Sequence, residues 1–452
     1  MKKVLFMLAI GAGLLITSCT KEGPMGPQGP AGANGTNGTN GTNGKDGTNG
    51  VNGTNGVDAN ASCTQCHAKD VVDLVSTQYE LAKHSFGEAA TSEAGNTGCG
   101  PCHLSEAFKY VCANNTPVTF TLNTTTGKYS NDYASVPDKA YGAISCSTCH
   151  SSLHSTYTIA DLKPFTTTAP VPMSMWAGAK TINLTQKDGE SNLCVKCHQP
   201  RPFTASATDG NVLDYTAMAN NPTAVFYDPT STSNKLKPGY RTHTHYGTVG
   251  AIFAGMGGVE FQGNLAYTSS DHTTKASCQD CHMAAMTGAA GGHSFVAKGN
   301  FNGCNSTGCH SSMSSTNASF TADRTEVKGL LATLAGKLVE NGIEIMNKNG
   351  DATTNLWYGI TANNYDGYLN IYDPASNPAG PTYNPTSFQN PSPAASWTQA
   401  QKDFNATLPK ITLTNAQMGA IINFQLCLRE YSLGVHNHSY SKALLQNSID
   451  KL

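Results

Sequence analysis

The chain has 452 residues, 28 Lys and Arg against 30 Asp and Glu, 15 cysteines and 14 histidines, a length that suggests two or three domains. Leu, Ile, Val and Phe supply only about 17% of it, below the level at which an aliphatic core is expected, and a net charge of −2 excludes self-repulsion as the reason. Apolar bulk is therefore expected from something other than aliphatic side chains, and the absence of a basic run argues against nucleic acid as a partner.

In chain order, the first element is an address. Met1-Lys2-Lys3 is a positive n-region, and the apolar run "VLFMLAIGAGLLI" (4–16) is too short to span a bilayer comfortably. "ITSC" then ends at Cys19 and resembles a bacterial lipobox, which implies a signal peptide over 1–18 and Cys19 as the lipidated first residue. An ordinary signal peptide with a chance cysteine is the alternative.

Residues 19–58 hold the lipidated cysteine and a tether. Glycine recurs at every third position from Gly23 to Gly56, the Gly-X-Y pattern of a collagen-like repeat. Proline is confined to the first triplets, so two readings stay open, a polar spacer and a weak trimerising stalk.

Residues 59–320 carry the Cys/His motifs. Beyond them, 321–452 is expected to be helical. Arg324–Lys348 places Val327, Leu330, Leu331, Leu334 and Leu338 at helical spacing. Thr414 or Asn415 caps a second helix through about Tyr431, and a third is expected over Ser439–Leu452. Residues 349–396 are rich in Asn, Pro, Gly and Tyr and read as loop, with a short hairpin as the one regular element open to them. The fold class is accordingly mainly α with long irregular loops and two or more longer C-terminal helices.

Five segments read Cys-X-X-Cys-His: Cys63, Cys66 and His67; Cys99, Cys102 and His103; Cys146, Cys149 and His150; Cys194, Cys197 and His198; Cys278, Cys281 and His282. This is the attachment signature of c-type haem. Two thiols add across the vinyl groups of one porphyrin, and the next residue then lies under the ring, where its imidazole reaches the iron. Chance would supply the motif on the order of 0.01–0.02 times in such a chain. Zinc is the competing reading, but it needs no histidine after every second cysteine, and five pairs would leave one over. A disulfide framework fares no better, since neighbouring CxxC cysteines bridge only under strain.

A sixth segment, Cys304-Asn-Ser-Thr-Gly-Cys309-His310, keeps the Cys-His ending with four residues between the thiols. Small, flexible residues can bulge outward while both sulfurs reach the ring. CX4CH resembles a known variant in multihaem cytochromes, so six covalent haem c groups are expected. A lone structural cysteine pair is the alternative.

Six histidines are thus proximal ligands: His67, His103, His150, His198, His282 and His310. Eight remain: His84, His154, His243, His245, His272, His293, His436 and His438. They are enough to fill every sixth position, which favours bis-histidine ligation and low potentials over methionine ligation. Cys112 and Cys427 are left over, either as a bridge or as buried thiols.

"HYGTVGAIFAGMGGVEFQG" (245–263), "YTSSDHTTKASCQDCHM" (267–283), "GGHSF" (292–296) and "YELAKHSFGE" before "CGPCHLSEAF" resemble exported bacterial multihaem c-type cytochromes. "REYSLGVHNHSYSKALLQNSI" (429–449) is similar to their C-terminal helix pair and, more distantly, to that of the pentahaem nitrite reductases. The resemblance implies a fold organised around covalently bound haems. It also implies His84, His154, His245, His272, His293 and His436 as distal ligands, with His243 and His438 spare. No CxxCK motif is present, where the nitrite reductases carry lysine at their catalytic iron.

The function expected is that of a lipid-anchored extracytoplasmic cytochrome c. It would pass electrons along six low-potential haems to redox partner proteins or an extracellular acceptor, on the periplasmic or surface face of the outer membrane. An electron carrier without catalytic residues is favoured over two rivals, a reductase of nitrite, hydroxylamine or a sulfur oxyanion, and a subunit of a conducting filament. Homo-oligomers would arise by a trimer through the Gly-X-Y repeat or by such a filament. Ionised propionates would make the loaded protein acidic and favour basic partners or metal ions.

Overall fold

A computed structural model describes residues 69–86, 99–113, 121–123, 128–130, 142–176, 180–201, 203, 213–232, 236, 238, 242–285, 291–346, 368–371, 407 and 409–452. The chain divides into Met1–Gly56 and Val57–Leu452, and all described residues belong to the second unit. The signal peptide, Cys19, the tether and the first motif (Cys63, Cys66, His67) lie outside them.

The fold is mainly helical. Six helices matter most for the site: α1 (Lys69–Glu80), α2 (Ser105–Ala113), α3 (Glu190–Cys197), α4 (Ala318–Glu340), α5 (Asn415–Arg429) and α6 (His438–Ile449). Among the described residues, strands form four two-stranded antiparallel ladders, 121–123 with 128–130, 171–172 with 181–182, 225–227 with 413–414, and 343–346 with 368–371. Long stretches such as 254–270 and 295–317 run as turns and loop.

α4 differs from the expected Arg324–Lys348. It starts earlier because the Asn317 side chain accepts from the amides of Ser319 (3.0 Å) and Phe320 (3.4 Å), capping the helix. It stops at Glu340 because Gly342 turns left-handed (φ +79) and Ile343–Met346 enters the ladder with Tyr368–Ile371. Of the expected apolar stripe Val327, Leu331, Leu334 and Leu338 are buried, and Leu330 is half-buried against the same cluster.

α5 is the central helix. Its start is fixed by a capping box between Thr414 and Gln417, and it is buried on all sides from Met418 to Arg429. Each fully buried Leu, Ile or Phe contributes about 1.5–3 kcal/mol, and α4, α5 and α6 all contribute to the one large apolar core cluster. Asn423 ties this helix to the glycine-rich segment before it in the chain. Its Oδ1 accepts from Val259 N (2.7 Å), and its Nδ2 donates to Val259 O (2.8 Å) and Ser448 Oγ (2.9 Å). Gly258 is glycine for contact, since a Cβ there would lie 2.3 Å from Leu444 Cδ2. The Tyr440 hydroxyl takes the Gly258 amide (3.1 Å) and donates to Glu260 (2.9 Å), closing the segment onto α6. Among the described residues no helix is long and apolar enough to cross a membrane.

Candidate haem-ligating site

Each described CxxCH motif forms a short helical turn. His103 N donates to Cys99 O (3.1 Å), His150 N to Cys146 O (2.9 Å) and His198 N to Cys194 O (2.9 Å). The 278–282 motif is a five-residue helix with a Ser277/Asp280 capping box, and the 146–150 motif has the like box from Ser145 and Thr148. The longer motif closes the same way. His310 N donates to Cys304 O at 2.9 Å, and the added residues loop out through Gly308 (φ +86), whose Cβ position has nothing within 4 Å.

The imidazoles are assembled in twos. Ring centroids are 6.0 Å apart for His198 and His84, 6.0 Å for His103 and His245, and 6.3 Å for His150 and His293. They are 6.0 Å apart for His310 and His272 and 6.2 Å for His282 and His436. Every pair joins a motif histidine to a histidine outside the motifs, and no residue is used twice. Two ligands at a metal–nitrogen distance of about 2 Å, with each ring centroid about 1.1 Å beyond its nitrogen, would stand about 6.2 Å apart. The pairs therefore fit a six-coordinate iron held between two imidazoles. His243 and His245 are also 6.4 Å apart, but they are next-but-one neighbours and neither belongs to a motif.

Hydrogen bonds fix the tautomer that a ligand needs. His282 Nδ1 lies 2.8 Å from Phe295 O and His272 Nδ1 lies 2.9 Å from Val435 O. A carbonyl only accepts, so Nδ1 holds the proton and Nε2 keeps its lone pair. His436 Nδ1 donates to the Glu430 carboxylate at 2.6 Å. Burial, helped by the nearby His84, lowers His198 to about 4, and burial also lowers His84, His150, His282 and His293. For His245, burial and then the Arg201 charge push protonation far down. These rings stand neutral, as metal ligands must. His436 is the exception: burial disfavours its charge, but the Glu430 hydrogen bond and charge outweigh that and raise it.

The two histidines expected to be spare are engaged elsewhere. His243 Nδ1 accepts from His245 N (3.0 Å) and Arg429 Nη1 (3.2 Å), so its proton sits on Nε2. His438 Nε2 lies 3.0 Å from Glu326. The five pairs leave His154 and His67 over, and His67 lies outside the described residues. His154 sits at φ +63 and stacks on Tyr157 at 5.8 Å.

The motifs also adjoin one another. The Cys102 and Cys197 thiols lie side by side, as do those of Cys194 and Cys278. The 99–103 and 278–282 motifs thus flank the 194–198 motif. Ser105 and Thr148 hydroxyls meet at 2.5 Å, linking α2 to the 146–150 motif. Cys112 and Cys427 are both free, Cys427 fully buried with Sγ 3.9 Å from Ser441 O. Among the described residues no group of three or more His, Cys, Asp or Glu is gathered as a zinc centre would need.

Sequence reasoning passed over Glu430 and Arg429, both 1% exposed. The signal was available in "REYSLGVH", two opposite charges six and seven residues before a ligand candidate. No protein-family model, curated protein or solved structure matches the chain.

Proposed function

We propose that this chain is an exported, lipid-anchored c-type cytochrome that carries electrons on six covalently bound haems, each iron held between two histidines. The observation that carries the reading is the one-to-one pairing of five motif histidines with five others at 6.0–6.3 Å. The cysteine pairs would hold the haem c groups at Cys63/Cys66, Cys99/Cys102, Cys146/Cys149, Cys194/Cys197, Cys278/Cys281 and Cys304/Cys309. The distal ligands follow from the pairs: His245 for His103, His293 for His150, His84 for His198, His436 for His282 and His272 for His310. By elimination His154 serves His67.

The bound group supplies a one-electron ferric/ferrous couple. The protein supplies paired imidazoles, three of them with the Nδ1 proton held by a carbonyl or carboxylate, and adjoining motifs. Two imidazoles at an iron leave no open position for a substrate, which favours electron transfer over a reductase. Lipidated Cys19 and the Gly-X-Y segment would hold the unit at the outer membrane, within reach of partner proteins or an extracellular acceptor.

The test is production in a host with cytochrome c maturation machinery. The expected result is an intact mass with six added tetrapyrroles, a Soret band, and several overlapping low-potential waves in a redox titration. A product without covalent haem overturns the reading, and a high-spin ferric signal in the wild type favours the reductase.

A further inference from the structure

α5 ends in opposite charges that face different imidazole pairs. Arg429, 1% exposed, reaches His243 Nδ1 at 3.2 Å and stacks its guanidinium over the Tyr246 ring at 4.2 Å. Its charge and that of Arg201 both act on His245, the partner of His103. Glu430, also 1% exposed, accepts from His436 Nδ1 (2.6 Å) and Ser432 Oγ (2.6 Å) on Oε2, and from the amides of Ser432 and Gly434 (3.1 Å each) on Oε1. His436 is the partner of His282. The motif lying between these two, through Cys102–Cys197 and Cys194–Cys278, is 194–198.

Resting on the reading above, we propose that the end of α5 sets a potential step along the haem chain, with Glu430 holding the His282/His436 centre low and Arg429, with Arg201, holding the His103/His245 centre high. Ferric haem carries one more positive charge than ferrous. A carboxylate hydrogen-bonded to the distal imidazole makes that ligand more basic and favours the ferric state. Guanidinium charges inside a poorly solvated interior favour the ferrous state, because their field is little screened there. The two charges are sequence neighbours, but Glu430 touches His436 directly, whereas Arg429 reaches the other centre through His243, whose Nδ1 also takes the His245 amide at 3.0 Å. In partly reduced protein the electron therefore rests on the 99–103 side and leaves the 278–282 side oxidised.

The test is a redox titration of the holoprotein followed by electron paramagnetic resonance, with haem content measured on every sample. The His282/His436 planes are 11° apart, against 72° for His103/His245, so the two centres give different low-spin signals. Glu430→Gln should raise the midpoint of the near-parallel centre by about 59 mV, a tenfold change in its ferric/ferrous ratio at fixed potential. Glu430→Asp should restore it. Arg429→Gln should lower the His103/His245 midpoint, and Arg429→Lys should not. The two residues test the step independently, so a variant that loses haem does not remove the test. Fully loaded Glu430→Gln and Arg429→Gln with unmoved midpoints, or with all centres shifted alike, overturn the step while leaving the cytochrome reading intact. A wild type without haem overturns both.

Discussion

The amide of His310 donates to the carbonyl of Cys304 at 2.9 Å, the closure that His198 makes to Cys194 at the same distance, although two more residues separate the partners. The first cysteine and the histidine thus keep the relation they have in the shorter motifs, and the insertion is accommodated outside it by Gly308 in the left-handed region. Replacing Cys304 and Cys309 by alanine should leave the other attachment sites loaded. Intact mass should then show five tetrapyrroles against six in the wild type; an unchanged mass would make 304–310 a structural pair.

The imidazole pairs differ in twist. His282 and His436 are nearly parallel at 11°, whereas His198/His84, His103/His245 and His310/His272 stand at 61°, 72° and 82°. Parallel rings donate π density along one direction and split the iron d orbitals, while crossed rings leave them close in energy. The frozen oxidised protein should show one rhombic low-spin signal beside several of large anisotropy. His436→Met should remove the rhombic signal alone.

Distal and spare histidines should separate in the same experiment. His293 faces His150 at 6.3 Å, and its backbone is fixed by the Gln78 side chain, which accepts from His293 N at 3.0 Å. His293→Ala should open one iron and add a high-spin ferric signal. His243→Ala removes a ring whose Nδ1 is occupied by Arg429 and the His245 amide, so spin state should stay low. High-spin iron in His243→Ala would reassign the ligand set.

Much of the site was written in local patterns. Cysteine spacing located the motifs, and helical periodicity located α4 with Leu331 and Leu334 inside it. The pairing of His84 with His198 was not legible, because 114 positions separate them in the chain and only tertiary packing joins them, with α1 lying against the 292–294 turn and His84 against the Phe295 ring at 5.1 Å. The end of α4 was missed for a related reason. Residues 341–348 continue no helix-breaking pattern except Gly342, and their strand needs a partner at 368–371. Glu430 was passed over because a charged residue near a helix end is usually solvated, and its burial depends on the turn through Leu433 and Gly434.

Asn423 should be a stability hot point. It is fully buried, and its amide satisfies both the N–H and the C=O of Val259. Asn423→Ala would strand these groups, at about 1–3 kcal/mol each, and open a small void beside Ser448. Denaturant unfolding of fully loaded protein should show a loss of about 2–5 kcal/mol. Haem content should not change, since Asn423 touches no histidine pair.

The loop that presents His154 should depend on acid. Asp161 is 5% exposed and takes the Thr156 hydroxyl (2.6 Å) and the amides of Thr156 (3.0 Å) and Tyr157 (2.9 Å). The Thr156 hydroxyl, ahead of the backbone amides, holds the carboxyl below its ordinary value of 3.8. A depressed folded pKa contributes stability that is complete above the unfolded value and is lost as pH falls through the folded one. The stability advantage of wild type over Asp161→Asn should therefore be full at about pH 5–7 and shrink below about pH 4. Unfolding measured across that range checks the sign, and an advantage that grows on acidification would remove the carboxylate from this role. If the Asp161 cage also orients His154, the variant should keep its other haems low-spin and show a high-spin fraction confined to one centre.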